Sequence, residues 1–285
     1  MDSHHHHHHD QHHPGPGSDE AALAELVDLD AEVLHSYLSD VIGWAGELAG
    51  GQPRRILDLG TGTGTGAVAL ARRFPGADVV AVDVSAPMLD RLQAKVRGLG
   101  LDGQIQAVRA DLDEEWPATP AVDLVWASNS LHHMKDPDQV LAWVFAALRP
   151  GGLLAVADMD SFPRFLPDHI GPGLEARLQA ALAEARADEL PHLYSDWGPR
   201  LGAAGFTVEA RRTFDIDLTA PLPALAGRYA QASLTRLRSG LDGRLSPGDL
   251  ATLGPLLDGD GPGSVLRRDD LTIRTARTAW AARRP

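Results

Sequence analysis

A few acidic and histidine side chains, well separated along the chain, carry most of its recognisable chemistry. Asp58 stands two residues ahead of Gly60, and glycines at 60, 62, 64 and 66 alternate with Thr61, Thr63 and Thr65. Alternating glycines let a chain turn sharply and let a ligand approach the peptide planes, which a Cβ would block. Asp83 follows about 20 residues after the glycines, where the second strand of a nucleotide-binding fold offers an acid to two ribose hydroxyls. Asp111 comes next, and then the adjacent pair His132 and His133. Imidazole exchanges protons near neutral pH without strong tuning, so the pair are candidate bases, with Asp158, Asp160 and His169 behind them. The pattern is a nucleotide-like cofactor held beside groups able to move a proton.

The kind of cofactor turns on one acid. Gly62-Thr63-Gly64-Thr65-Gly66-Ala67 fits GxGxxG/A, which keeps a dinucleotide fold in contention. Asp58, however, would repel a pyrophosphate and suits a cofactor whose nearby charge is cationic or zwitterionic.

These residues need a scaffold, and the pattern around them supplies one. Residues 56–59 read as a buried parallel strand and 65–73 as the helix that points its positive end at the turn. Further strands are expected at 78–82, 104–110, 122–127, 153–158, 206–218 and 272–282. Helices fall at 140–148, at 174–189 and from 194 to 205, and 221–268 reads as mostly helical. One or two leading helices cover 19–49, where Tyr37 and Trp44 either touch a ligand or, by slight preference, pack on the core. Ser85 and Pro87 suit the start of the helix after Asp83.

With four motifs in order, the chain resembles the class I S-adenosylmethionine (SAM)-dependent methyltransferases of small-molecule type. Leu57-Asp58-Leu59-Gly60-Thr61-Gly62-Thr63-Gly64 matches their first motif. Asp83, Asp111 and the turn Leu148-Arg149-Pro150-Gly151-Gly152 continue the likeness, which covers about residues 35–220. The resemblance implies an α/β fold: a seven-stranded, mostly parallel, doubly wound sheet with helical cap insertions. It divides the chain into a disordered His-rich tail or tag (1–18), an N-terminal helical lid (19–52) and a SAM-binding domain (53–285) with insertions at about 161–193 and 221–268. Some fifty residues between the last two strands depart from the bare family core, which joins them in a hairpin.

On the same resemblance, Asp58, Gly60, Thr61, Gly62, Gly64, Leu112 and Asn129 surround SAM. Asp83 takes the ribose hydroxyls, Val84 and Met88 flank the adenine, and Asp111 accepts from its exocyclic amine. His133, preferred to His132, is the general base; the alternative is that the pair only shapes the pocket. No Pro-Pro-aromatic signature of enzymes methylating DNA bases or glutamine follows the fourth strand.

Composition narrows the partners. A net charge of −13 argues against a nucleic-acid or anionic-membrane partner, and 44% hydrophobic residues are ordinary for a globular protein. No run approaches the ~20 apolar residues of a membrane span and no signal peptide is evident, so a cytoplasmic protein is expected. The absence of cysteine fits that compartment and removes thiol catalysis. Eight of the thirteen histidines lie between His4 and His13, as a purification tag or a native metal-binding tail. Neither makes a catalytic metal site, because nothing rigid holds the ligands. The expected activity is methyl transfer from SAM to an O, N or C nucleophile of a small molecule, with a homodimer allowed. The alternatives are an NAD(P)-dependent oxidoreductase and a non-catalytic SAM- or metal-binding regulator.

Overall fold

A computed structural model describes residues 16–259 and 261–285. Its centre is one seven-stranded sheet in the order β3-β2-β1-β4-β5-β7-β6. The strands are β1 (Arg55–Leu59), β2 (Asp78–Asp83), β3 (Ile105–Arg109), β4 (Val122–Ser128), β5 (Leu148–Met159), β6 (Thr207–Leu218) and β7 (Ile273–Arg283). The first five run parallel, and β7 lies antiparallel between β5 and β6. The mostly parallel doubly wound sheet expected from the sequence is therefore the one observed, and the segment around 272–282 does close it. The long insertion before β7 leaves its pairing with β6 intact over Thr207 to Leu218.

Helices cover both faces because the inner strands are apolar on both. Ile56 faces one core cluster while Leu57 and Leu59 face the other, the alternation a pleated strand imposes. On the Ile56 face lie α2 (His35–Leu48), α3 (Thr65–Arg73), α4 (Ala86–Leu99), α6 (Leu174–Ala185) and α8 (Ala226–Ser239). The opposite face packs α5 (Pro137–Ala147) and α7 (Gly198–Ala203). The leading helix α1 (Pro16–Val33) packs along α8, and α9 (Pro247–Leu257) completes the cap.

Several expected boundaries move for local reasons. The helix placed at 194 starts at Gly198, because Tyr194 holds a positive φ of 63° that a helix cannot continue. The helix expected through 189 stops at Ala185, with Arg186 as its cap. Strand β5 starts at Leu148, pairs there with Val122 and resumes at Leu153 opposite Leu124. The Arg149–Gly152 turn is thus an outward loop within the strand, made by Gly151 at φ 76°.

Candidate functional site

The glycine turn leaves β1 and enters α3 at the carboxyl edge of the sheet. Gly60, Gly62 and Gly64 all take positive φ, of 63°, 54° and 82°. Two of the three glycines are required by the protein itself. A Cβ on Gly60 would stand 2.5 Å from that of Ser130, and one on Gly64 would overlap Leu92. Only Gly62 opens outward, with Val27 of α1 at 3.9 Å as its nearest neighbour.

Asp58 and Asp83 shape this turn from both sides. Asp58 is 2% exposed; its Oδ2 accepts from Thr61 Oγ1 at 2.7 Å. Burial pushes it up to about 7, aided by the charge of Asp83 and opposed by the Thr61 hydroxyl and the Ala67 amide. Its contacts in this structure are with the loop, through Thr61 and Ala67. Asp83 accepts from Gly62 N at 2.8 Å and Ser85 N at 2.9 Å, and each oxygen retains a lone pair for a ligand. Ser85 caps α4 by accepting from Met88 N at 3.2 Å.

The remaining expected residues gather around this network to different degrees. Met88 is buried in the first turn of α4, whereas Val84 is 53% exposed. Asp111 lies past β3 and accepts from Asp113 N at 3.0 Å, and Leu112 is buried behind it. Asn129 has φ 51° at the end of β4, with its amide tied to Ala157 O at 2.8 Å. Buried acceptor or hydroxyl atoms of Asn129, Ser130 and Thr63 have no partner. Unsatisfied acceptors beside an acid-flanked turn fit a cationic or zwitterionic group, so the residues present suit the SAM that the family motif implies.

The histidine pair follows β4 in a 3-10 turn, Leu131–His133. His132 is buried, and its Nδ1 lies 2.8 Å from Asp158 Oδ1. Trp197 Nε1 donates to the other Asp158 oxygen at 3.0 Å. A carboxylate at Nδ1 selects the tautomer with the proton there and leaves Nε2 as the basic nitrogen. His133 stacks on His132 at 4.2 Å and keeps one face open to solvent. Surrounding protein pushes it down to about 4, with His132, Arg236 and Arg186 adding to the effect and Asp158 opposing it. Water on the open face moderates that desolvation, so the downward direction is what the site dictates. Of the further bases, Asp160 accepts from Thr278 Oγ1 at 2.8 Å, and His169 is 69% exposed beside Asp270, away from the pair. His169 thus drops out.

Sequence reading missed how α1 is fastened across the turn. Glu20 accepts from Ser85, and Asp28 pairs with Arg91 and Lys95, each at 3.0 Å. Asp30 pairs with the buried Arg277 of β7 and accepts from Tyr229 of α8 at 2.5 Å. Tyr37 is buried against Phe214 with the Arg277 guanidinium 4.9 Å over its ring, and Trp44 also packs on Phe214. Two surface clefts of about 450 and 380 Å³ lie elsewhere, beside 220–228 and beside 106–120. Among the described residues no cluster of three acids or histidines is arranged to hold a metal, and no helix is long and apolar enough to cross a membrane. The expectation for residues 1–18 lies outside the described residues, apart from the backbone of 16–18 in α1.

Comparison with known proteins agrees with this geometry. Residues 56–152 match the family model described as a methyltransferase domain. Residues 56–152 are thus similar to a methyltransferase domain, and the sheet has the fold of the methyltransferase-like structures. Methyltransferase GfsG of Streptomyces halstedii is 37% identical over 105 residues, 37% of each chain. A malonyl-[acyl-carrier protein] O-methyltransferase of Xylella fastidiosa (strain M23) is 29% identical over 231 residues, 78% of this chain and 73% of that protein. The match thus spans little more than a third of the first relative. A candidate methyltransferase of Bacillus halodurans C-125 shares the fold, with a TM-score of 0.54 at 19% identity, over 86% of this chain and 98% of that one. Class I methyltransferases use SAM as methyl donor, the cofactor class that the turn was read to suit.

Proposed function

We propose that this chain is a SAM-dependent methyltransferase acting on a small molecule, with oxygen, as in the name of the Xylella relative, the first acceptor atom to test. The observation that carries the reading is the turn itself: Asp58 and Asp83 order Gly60 to Gly64 beside the unpartnered oxygens of Thr63, Asn129 and Ser130. Asp83 would take the ribose, Val84, Met88, Asp111 and Leu112 the adenine, and the Gly60–Gly64 turn with Asn129 the amino-acid end. Bound SAM supplies an already activated methyl group. The protein's work is then alignment, exclusion of water by α1, and removal of a proton where the acceptor carries one.

For that last task the structure favours His132 over His133, reversing the preference drawn from sequence. Asp158 fixes the His132 ring and its tautomer, whereas the environment of His133 weakens it as a base. The N-terminal helices act as a lid, and the protein works in the cytoplasm on a diffusible acceptor.

Calorimetry with SAM, S-adenosylhomocysteine and NAD tests the cofactor directly. Binding of the first two and not the third is expected. Binding of NAD alone would move the protein to the oxidoreductases.

A further inference from the structure

Gly60, Gly62 and Gly64 take positive φ, but Gly66 sits in the first turn of α3 with an ordinary helical backbone. A glycine inside a helix is less stable than an alanine there, so something other than conformation requires it. The requirement is space. A Cβ on Gly66 would stand 3.0 Å from Trp126 Nε1 and 3.2 Å from Asp58 Oδ2. The indole nitrogen and the carboxylate oxygen thus share one small gap under α3. Asp58 and Trp126 are also register partners on the neighbouring parallel strands β1 and β4, so their side chains leave the same face of the sheet.

Each of the two groups lacks what the other has. Trp126 is 1% exposed, and its Nε1–H, which can only donate, has no partner. A buried donor in a native protein is almost always bonded, so one without a partner needs a physical reason. Asp58 is buried beside it, and among the described residues Thr61 is the one side chain that donates to it. That hydroxyl serves a neutral carboxyl well enough; a carboxylate, with no proton and two oxygens to satisfy, needs more donors. Burial, with the charge of Asp83 at the end of β2, favours the neutral form, while β4 presents the indole and α3 presents Gly66 and the Ala67 amide. The molecule makes such a pair elsewhere, where Trp197 Nε1 donates to Asp158 at 3.0 Å.

We propose, resting on the methyltransferase reading above, that Trp126 is a positioning residue for the cofactor turn, its Nε1–H closing on Asp58 when that carboxyl ionises beside the SAM cation. A small adjustment of either side chain across the Gly66 gap makes the bond. Asp58 gives its proton to solvent, and the indole takes up part of the negative charge that water cannot reach. The donor has no partner while Asp58 is neutral and gains one when it is charged. Trp126 acts through Asp58, and the turn that Asp58 orders is what holds the cofactor.

Protein labelled with ¹⁵N-tryptophan reports the indole directly, with the Trp126 signal assigned through Trp126→Phe. Should that variant not fold, Phe variants of the other five tryptophans assign the signal by elimination. Without ligand, raising pH through the value of about 7 that burial gives Asp58 should move the Trp126 indole proton downfield. SAM added below that pH should produce the same move, and in Asp58→Asn neither treatment should. A wild-type signal that stays in place in both, or one that moves equally in Asp58→Asn, overturns the inference and leaves the methyltransferase reading standing. A pH-driven move without SAM binding by calorimetry overturns that reading, and with it the role of Trp126 in holding the cofactor. Trp126→Phe keeps an aromatic ring and removes the N–H, so it should weaken SAM binding at least about tenfold, as loss of a hydrogen bond to a charged group does. Unaltered affinity in a folded Trp126→Phe would overturn the inference as well.

Discussion

Asp83 does two things with one carboxylate, and its replacement separates them from the fold. Its oxygens hold the amides of Gly62 and Ser85, and their remaining lone pairs are the ones offered to a ribose. Hydrogen bonds to a charged group contribute about 1.5–3 kcal/mol each. Asp83→Ala should therefore weaken SAM binding at least about tenfold by calorimetry, with an unchanged far-ultraviolet circular dichroism spectrum. Unaltered affinity would remove Asp83 from the site. The histidines divide by their neighbours. With an acceptor that must lose a proton, His132→Gln should lower turnover by about 10²–10⁴-fold, as loss of a general base does. His133→Gln should cost less than about tenfold, and SAM affinity should hold in both. Near-wild-type turnover in both variants would leave alignment as the whole of catalysis. The pair itself was legible in the sequence, but the contacts from which we propose His132 ahead of His133 were not. That order rests on Asp158, 26 residues beyond His132, and on Trp197, a further 39 residues along, whose positions depend on β5 and the start of α7.

At the scale of elements, the strand–turn–helix unit could be read because every contact that shapes it is local or one strand away. Apolar runs gave β1, β2 and β4, and glycine spacing gave the turn. The fastening of α1 could not be read, since Asp30 and Arg277 are 247 residues apart and helical periodicity is silent on distant partners. The Asp30 contact has a measurable consequence. Arg277 has 6% of its side chain exposed, and its charge is balanced by Asp30. Removing one partner of a buried pair typically costs about 3–5 kcal/mol, because the other charge stays behind unpaired. Asp30→Ala should lower stability in urea by that order, and Arg277→Met in the same background should recover much of it. A loss below about 1 kcal/mol would mean that α1 is held by its apolar face. The N-terminal tail makes the opposite case. Deleting residues 1–15, ahead of α1, should abolish nickel-resin binding and leave SAM affinity alone; loss of SAM binding would revive a metal-linked regulator.

For the whole molecule, stability against pH joins the two sides of the site. Burial raises Asp58 from 3.8 to about 7, so between those values the folded state holds a proton that the unfolded chain has released. Its contribution to stability is complete below about 3.8 and is lost as pH rises through about 7. His133 moves the other way, from 6.5 to about 4. Its contribution is complete above 6.5 and is lost as pH falls through about 4. Below 6.5 the two slopes oppose each other, the exposed face of His133 making its slope the smaller. Each single variant uncovers the other slope. Relative to wild type, His133→Gln should lose stability as pH is raised from about 4 to 6.5, and Asp58→Asn should gain it. The difference from wild type is the quantity to measure, by urea unfolding at half-unit steps, because the other shifted carboxyls cancel in it. SAM supplies an internal check, since a cation beside Asp58 favours its ionised form. SAM binding near pH 7 should release a proton in wild type and none from that group in Asp58→Asn. Parallel pH profiles in all three proteins, with no proton release by wild type, would show that Asp58 is already ionised in the free enzyme.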